Sequence, residues 1–402
     1  MYRVSPFIRH FAWALLAGTV LATIWANIAP ASYYDAIEWR IANLALPEGL
    51  SASQGSITLM TLTSGGLMAL FLFFLGKELW EAHMLERGSL HGGRAGVPLL
   101  ATFGGMIGAV LVWVILSALF ETAEEATTFG GWAVPLGSDV VLCYLVGRVV
   151  FGAGSPALHV LLLMSIGADL VGLVLVGLTL PEHPLRLFWL VLPVLASVGV
   201  WGLYGRLGHA GASERQHQRA LQLWPYMVAG VISWLGVAAS GLPPALGLLP
   251  IIPAIPHADR AFGLFAEAEE FLSDPLNRFA HLLVKPLIVV LFLFGLTRGG
   301  IDLGAFAPTT WITLGALWLG KPIGIFVGGV VVTRALGLAL PAGVDARDVL
   351  FIGGISAMGF TVPVLALDTA LPGGAMTEAA RLGLALSLFA GPIMIALARR
   401  SR

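Results

Sequence analysis

Apolar residues recur along this chain in windows of about twenty, each closed by a short polar or Gly/Pro-rich link. That length matches the roughly 30 Å of hydrocarbon that a membrane helix must cross. Twelve windows fall at about 8–29, 58–84, 95–120, 132–151, 157–180, 184–206, 221–240, 243–257, 279–297, 308–335, 348–369 and 377–398. The pattern predicts an all-α polytopic membrane protein, with 1–402 forming a single transmembrane domain. The stretch Ser32–Ser56 is too polar to span and reads as a surface hairpin or a short helix. No small-residue cleavage site follows the first window, which therefore reads as a helix and not as a removed leader.

Composition agrees with the pattern. Hydrophobic residues make up 57% of the chain and charged residues 11%, against about 25% charged in soluble domains. A net charge of −1 offers no basic surface for nucleic acid. Cys143 is the one cysteine, which excludes disulfides within the chain and cysteine-cluster metal sites. It lies mid-window and reads as a small buried hydrophobe. Counting arginines with the N-terminus inside places fifteen in inner segments and four (Arg40, Arg186, Arg298 and Arg381) in outer ones. This positive-inside bias predicts cytoplasmic termini, and an odd number of spans would scramble it. Glu121, Glu124 and Glu125 read as a solvated outer loop. Glu267, Glu269, Glu270 and Asp274 read as a short amphipathic surface helix before the ninth window.

Three charges then stand out because they lie inside apolar windows. They are Asp139 in GWAVPLGSDVVL, Asp169 in LLLMSIGADLVGL and Lys321 in ALWLGKPIGIF. A charge at the bilayer centre costs about 2.5–3.5 kcal/mol on insertion scales, so each needs a partner, water or a function. Pro135 and Gly137 precede Asp139, and Gly353, Gly354, Gly359 and Pro363 punctuate the eleventh window. Either pattern alone is compatible with simple kinking. One interrupted window in each half of the chain, however, is the sequence pointer to an inverted-repeat transporter. Non-helical backbone is expected at about Val134–Ser138 and Ser356–Thr361, with the two broken helices crossing near the midplane. A carboxylate and an ammonium there offset the partial charges of half-helix ends, Asp139 at an N-terminus and Lys321 at a C-terminus. Gly324 and Gly328 follow Lys321 at i+3 and i+7, while Ser165 and Gly172 flank Asp169 at i−4 and i+3. The two small-residue faces suit each other, and a direct Asp169–Lys321 contact is expected. A purely structural ion pair would fit the same pattern.

At the inner end of the second window Lys77, Glu78, Glu81, His83 and Glu86 gather in LGKELWEAHMLERGSL. The ordinary reading is the solvated end of a helix. A histidine there is also suited to sensing pH near neutrality.

At these residues the chain resembles the NhaA-type sodium/proton antiporters, and the resemblance runs through most of its length. GWAVPLGSD is similar to the family's span-four motif, with Ser138 and Asp139 on its hydroxyl and aspartate positions. LGKPIGI resembles the lysine motif at Lys321, and GISAMGFT, with Gly359 and Thr361, resembles the span-eleven motif. LGKELWEAHMLERGSL resembles the cytoplasmic pH-response segment, making Glu78 and His83 its candidates. The resemblance implies twelve spans, a bacterial inner-membrane location and exchange of a small monovalent cation, Na+ or Li+, against protons. It also implies a homodimer through the 32–56 segment, with membrane lipid around it, no cofactor, no resident metal and no enzymatic activity. There are departures. The family carries two adjacent aspartates in span five; here Asp169 falls on the first and Leu170 on the second, while a one-residue shift would put Ala168 and Asp169 there. Pro243 in SGLPPALG stands for a histidine, and Arg298 in FLFGLTRGG for an asparagine.

The leading expectation is a secondary transporter in which Asp169 binds either a proton or a cation. Ser138, Asp139, backbone carbonyls of the broken helix (Pro135, Gly137) and waters would supply further oxygens. The replacement at Leu170 motivates an alternative, a transport-impaired homologue with a structural or regulatory role. An intramembrane aspartic protease built on Asp139 and Asp169 is the weakest alternative. Its sites would read GxGD, where this chain has LGSD and IGAD, and it leaves Lys321 without a role.

Overall fold

The computed structural model describes residues 6–43, 56–85, 95–120, 128–181, 184–205, 218–257, 264–266, 272 and 274–400. Among them, seven helices are long and apolar enough to cross a membrane. These are α1 (Phe7–Ile28), α3 (Leu59–Met84), α4 (Gly96–Phe120), α7 (Pro156–Thr179), α11 (Pro275–Arg298), α12 (Pro308–Ala335) and α15 (Gly374–Arg400). Two further spans are broken. α5 (Gly130–Leu136) meets α6 (Val140–Phe151) at 43°, and α13 (Ala346–Ser356) meets α14 (Thr361–Ala370) at 53°. Three shorter apolar helices are α8 (Leu187–Leu203), α9 (Trp224–Ser240) and α10 (Pro244–Ala254). The described residues thus form a predominantly helical membrane bundle with one broken span in each half.

The polar stretch after α1 contains both elements that its composition allowed. A short helix α2 (Pro30–Ile37) leads into strand β1 (Arg40–Asn43), which pairs antiparallel with β2 (Ser56–Thr58). The hairpin tip lies outside the described residues, as do Glu86, Glu121, Glu124, Glu125, Glu267, Glu269 and Glu270. Asp274 is the N-cap of α11, accepting the Asn277 N–H at 3.1 Å.

One face of α4 explains both the solvent this fold expects and the way it packs. Leu99, Phe103, Ile107, Leu111, Ile115 and Leu119 recur every fourth residue and all point outward. A stripe that long and apolar is lipid-facing, because in water it would be an aggregation surface. The other face carries Gly104 and Gly108, and they meet Gly320, Gly324 and Gly328 of α12. A β-carbon at Gly104 would strike the Gly324 carbonyl, and one at Gly108 the Gly320 carbonyl. Lipid tails are as apolar as leucine, so such close backbone approach is what holds membrane helices together. The small-residue face beside Lys321 therefore packs on α4 and not on α7 as the sequence pattern had suggested. Gly324→Val is expected to cost about 3 kcal/mol or more, because the obstruction is backbone and cannot rotate away. Thermal unfolding in detergent checks this, with Gly202→Ala as a control, since a β-carbon at Gly202 meets nothing within 4 Å.

α7 is the most enclosed of the seven long spans, with 72% of its apolar window buried. It packs against both broken spans and carries Asp169 into the middle of the bundle.

Candidate functional site

Proline and glycine dictate where the fourth span breaks. Pro135 closes a tight helical turn at the end of α5, and Gly137, Ser138 and Asp139 leave the helix before α6 begins. Asp139 is extended (φ −91°, ψ 102°) and caps α6, accepting the Leu142 N–H at 2.8 Å. In the eleventh span the helix stops at Ser356, and residues 357–360 run irregularly until Thr361. The two breaks touch. The Asp139 N–H donates to the Met358 carbonyl at 2.9 Å, and the Ser138 hydroxyl donates to the Ser356 carbonyl at 3.0 Å.

Four half-helix ends meet here, and each finds a partner. The second carboxylate oxygen of Asp139 accepts from the Thr361 N–H at 3.1 Å and from the Thr361 hydroxyl. One carboxylate thus serves the exposed donors that begin both α6 and α14, where the helix dipole favours negative charge. At the opposite pole, the Lys321 ammonium donates to the Pro135 carbonyl at 3.3 Å and to the Gly137 carbonyl. Those are the carbonyls left open where α5 ends. The end of α13 is met by Ser138 and by Cys143, whose thiol donates to the Ile355 carbonyl at 3.5 Å. Asp139, Asp169 and Lys321 are all buried, at 0%, 1% and 2% exposure, so none of these charges is offset by water at the surface.

Asp169 is placed differently from the other two. Its Oδ1 accepts the Ser138 N–H at 2.8 Å. Its Oδ2 is buried and has no hydrogen-bond partner among the described residues. Gly172, one turn on, lies against Leu136, and Gly137 is small because a β-carbon there would sit 2.8 Å from Asp169 Oδ1. Leu170 is buried beside it as an ordinary core residue. No ion pair within 4.0 Å joins Asp169 to Lys321 among the described residues, which corrects the contact expected from their small-residue faces. The physical reason is competition. The open carbonyls of α5 are nearer acceptors for the ammonium, and α4 already occupies the glycine face of α12.

Lys321 sits between two wide, π-type helical turns, Ala316–Gly320 and Val327–Val332. Pro322 lacks the N–H that would bond one turn back, and a widened turn accommodates that loss.

The cluster at the inner end of α3 also differs from its sequence reading. Lys77, Glu78 and Glu81 are buried, with Lys77 Nζ 3.0 Å from Glu78 Oε1 and 2.9 Å from Glu81 Oε2. Glu78 further accepts the Phe265 N–H at 2.5 Å, and Asn277 donates to Glu81 at 3.4 Å. This is a closed polar network covered by the Leu264–Ala266 segment and the start of α11, not a solvated helix end. Among the described members of that group, His83 is the exposed one. Sequence reasoning missed a further pair, in which Arg298 donates to Asp368 and, at 2.9 Å, to Ser64.

Comparison with known proteins places this architecture. A family model described as Na+/H+ antiporter 1 matches residues 9–397. The chain belongs to this family. A relative named Na(+)/H(+) antiporter NhaA from Jannaschia sp. (strain CCS1) is 40% identical over 98% of this chain and 97% of its own length. Another of that name, from Geobacter metallireducens, is 34% identical over 99% of this chain and 98% of its own length. Among solved structures, the sodium proton antiporter MjNhaP1 from Methanocaldococcus jannaschii matches with a TM-score of 0.51. At 16% identity, covering 98% of this chain and 94% of that one, it speaks to fold alone. The family's members are transporters, so this membrane protein is a transporter and not an enzyme.

Proposed function

We propose that the chain exchanges Na+ or Li+ for protons across a bacterial inner membrane, with Asp169 carrying either the cation or the proton. One observation supports this above the rest: a carboxylate buried where two broken helices cross, with one oxygen held by Ser138 and the other unpartnered. Buried polar atoms in folded proteins are nearly always paired. An unpartnered carboxylate oxygen at this depth is therefore a place for a proton or a small cation, and the two compete for it.

The remaining roles follow from the half-helix ends. Lys321 offsets the carbonyl end of α5, and Asp139 the donor ends of α6 and α14. Both let irregular backbone persist at membrane depth in the Pro135–Ser138 and Gly359–Thr361 segments. Ser138 supplies a hydroxyl next to the carboxylate. Protonation of Asp169 on one side displaces the cation, and deprotonation on the other restores the site. Glu78 is the pH-response candidate that belongs to a buried charge network, whereas His83 faces outward. Arginine bias supports cytoplasmic termini, and the β1–β2 hairpin supports a homodimer formed through the 32–56 segment within the lipid.

The test is sodium-driven proton movement in everted vesicles, followed with a pH-sensitive dye. A rapid sodium-dependent signal supports exchange; silence in a well-folded preparation favours the transport-impaired reading that Leu170 motivates. The same assay reads Leu170→Asp. If Leu170 occupies the position of the family's second carboxylate, this variant should strengthen sodium-dependent proton movement several-fold. An unchanged or weaker signal in a folded variant would show that one carboxylate suffices or that Pro243 limits the cycle.

A further inference from the structure

A cavity of about 250 Å3 opens at one end of the bundle, where the Arg298–Asp368 pair stands in its wall. It is bounded by the N-terminal end of α3 (Thr61, Ser64), the C-terminal end of α7 (Leu173, Gly177), Pro243 and Leu365. With cytoplasmic termini, all these ends lie on the outer side. Leu173 is four residues past Asp169, about 6 Å along the axis of α7, so the cavity descends to within roughly a turn of the buried carboxylate. Leu365 is four residues past Thr361, whose N–H is held by Asp139.

Arg298 ends a continuous helix, whereas Asp368 rides on the second half of a broken one. The guanidinium side chain is 10% exposed and the carboxylate 35%. Their charges cancel only while they are paired, and both line the cavity that leads toward Asp169.

We infer that Arg298 and Asp368 form a charge gate at the outer mouth of the cation path, setting which ions reach Asp169 from outside. This rests on the exchange reading above. Asp368 supplies the attraction for an incoming cation, and Arg298 moderates it. Two variants then act in opposite directions, which a merely structural pair would not do. Asp368→Asn removes the carboxylate that faces Arg298 in the cavity wall and should raise the outer-face KM for sodium about tenfold. Arg298→Gln leaves Asp368 unpaired as an anion and should lower that KM several-fold. Arg298→Lys should stay near the parent, because it keeps the charge. At the inner face, KM should change less than twofold in each, and kcat should hold throughout.

Right-side-out and everted vesicles separate the two faces. A second measurement needs no transport. With Leu365→Cys in a Cys143→Ser background, the ratio of labelling rates by cationic and anionic thiosulfonate reagents added outside should fall in Asp368→Asn and rise in Arg298→Gln. Opposite shifts in both measurements support the gate. Shifts in the same direction, effects confined to the inner face, or an unmoved labelling ratio would overturn it. A parent protein that moves no sodium but shows the opposite labelling shifts would overturn the exchange reading while leaving the gate standing.

Discussion

Asp169→Asn should reduce sodium-driven proton movement to the level of vesicles lacking the protein, without unfolding it. The amide oxygen can still accept the Ser138 N–H that Asp169 Oδ1 accepts at 2.8 Å, so the contact that fits α7 to the break survives. What disappears is the charge. A unit charge about 4 Å from a cation contributes about 4 kcal/mol at an effective dielectric near 20, roughly a thousandfold in binding. The proton-binding site goes with it, since an amide does not titrate. Removing an ionised group from a fully buried position also relieves a desolvation cost, so the thermal midpoint in detergent should hold or rise slightly. Dye dequenching on sodium addition, paired with the midpoint, checks both halves. A folded Asp169→Asn protein that still exchanges sodium for protons would remove Asp169 as the carrier.

The parts of this site that were legible in the chain are those written locally. Pro135 and Gly137 before Asp139, and the glycines around Ser356, mark interruptions because helix-breaking residues stand inside apolar windows. The structure has the interruptions at Gly137–Asp139 and at 357–360. Asp139 as an N-cap follows from the same local logic. What a charge touches across the bundle is not local. Lys321 and Asp169 each carried a small-residue face, and small faces say only that some helix comes close, not which one. Gly104 and Gly108 of α4 decide that question, because only they admit the close backbone approach of Gly320, Gly324 and Gly328. The Lys77 cluster failed for a related reason. Charges at i, i+1 and i+4 look the same whether water or a covering segment lies over them, and here Phe265 and Asn277 supply the cover. Arg298 and Asp368 stand 70 residues apart, so neither announced the other.

The corrected placement of Lys321 changes what its removal should do. Lys321→Met is expected to lower stability by about 3–5 kcal/mol, because it strips a charge-assisted donor from the Pro135 and Gly137 carbonyls at a buried position. Those carbonyls belong to the backbone, and no second side-chain substitution removes them. Were Lys321 held instead by an ion pair with Asp169, then deleting both charges with apolar residues of similar volume would recover most of the loss. The carbonyl clamp predicts otherwise. Asp169→Leu combined with Lys321→Met should recover less than half of it, since the end of α5 stays unsatisfied whatever occupies position 169. A double-mutant cycle on thermal and denaturant midpoints in detergent measures the coupling directly. Near-complete recovery in the double variant would restore the ion pair as the dominant contact. Unchanged stability in Lys321→Met alone would show that the ammonium is not what closes the end of α5.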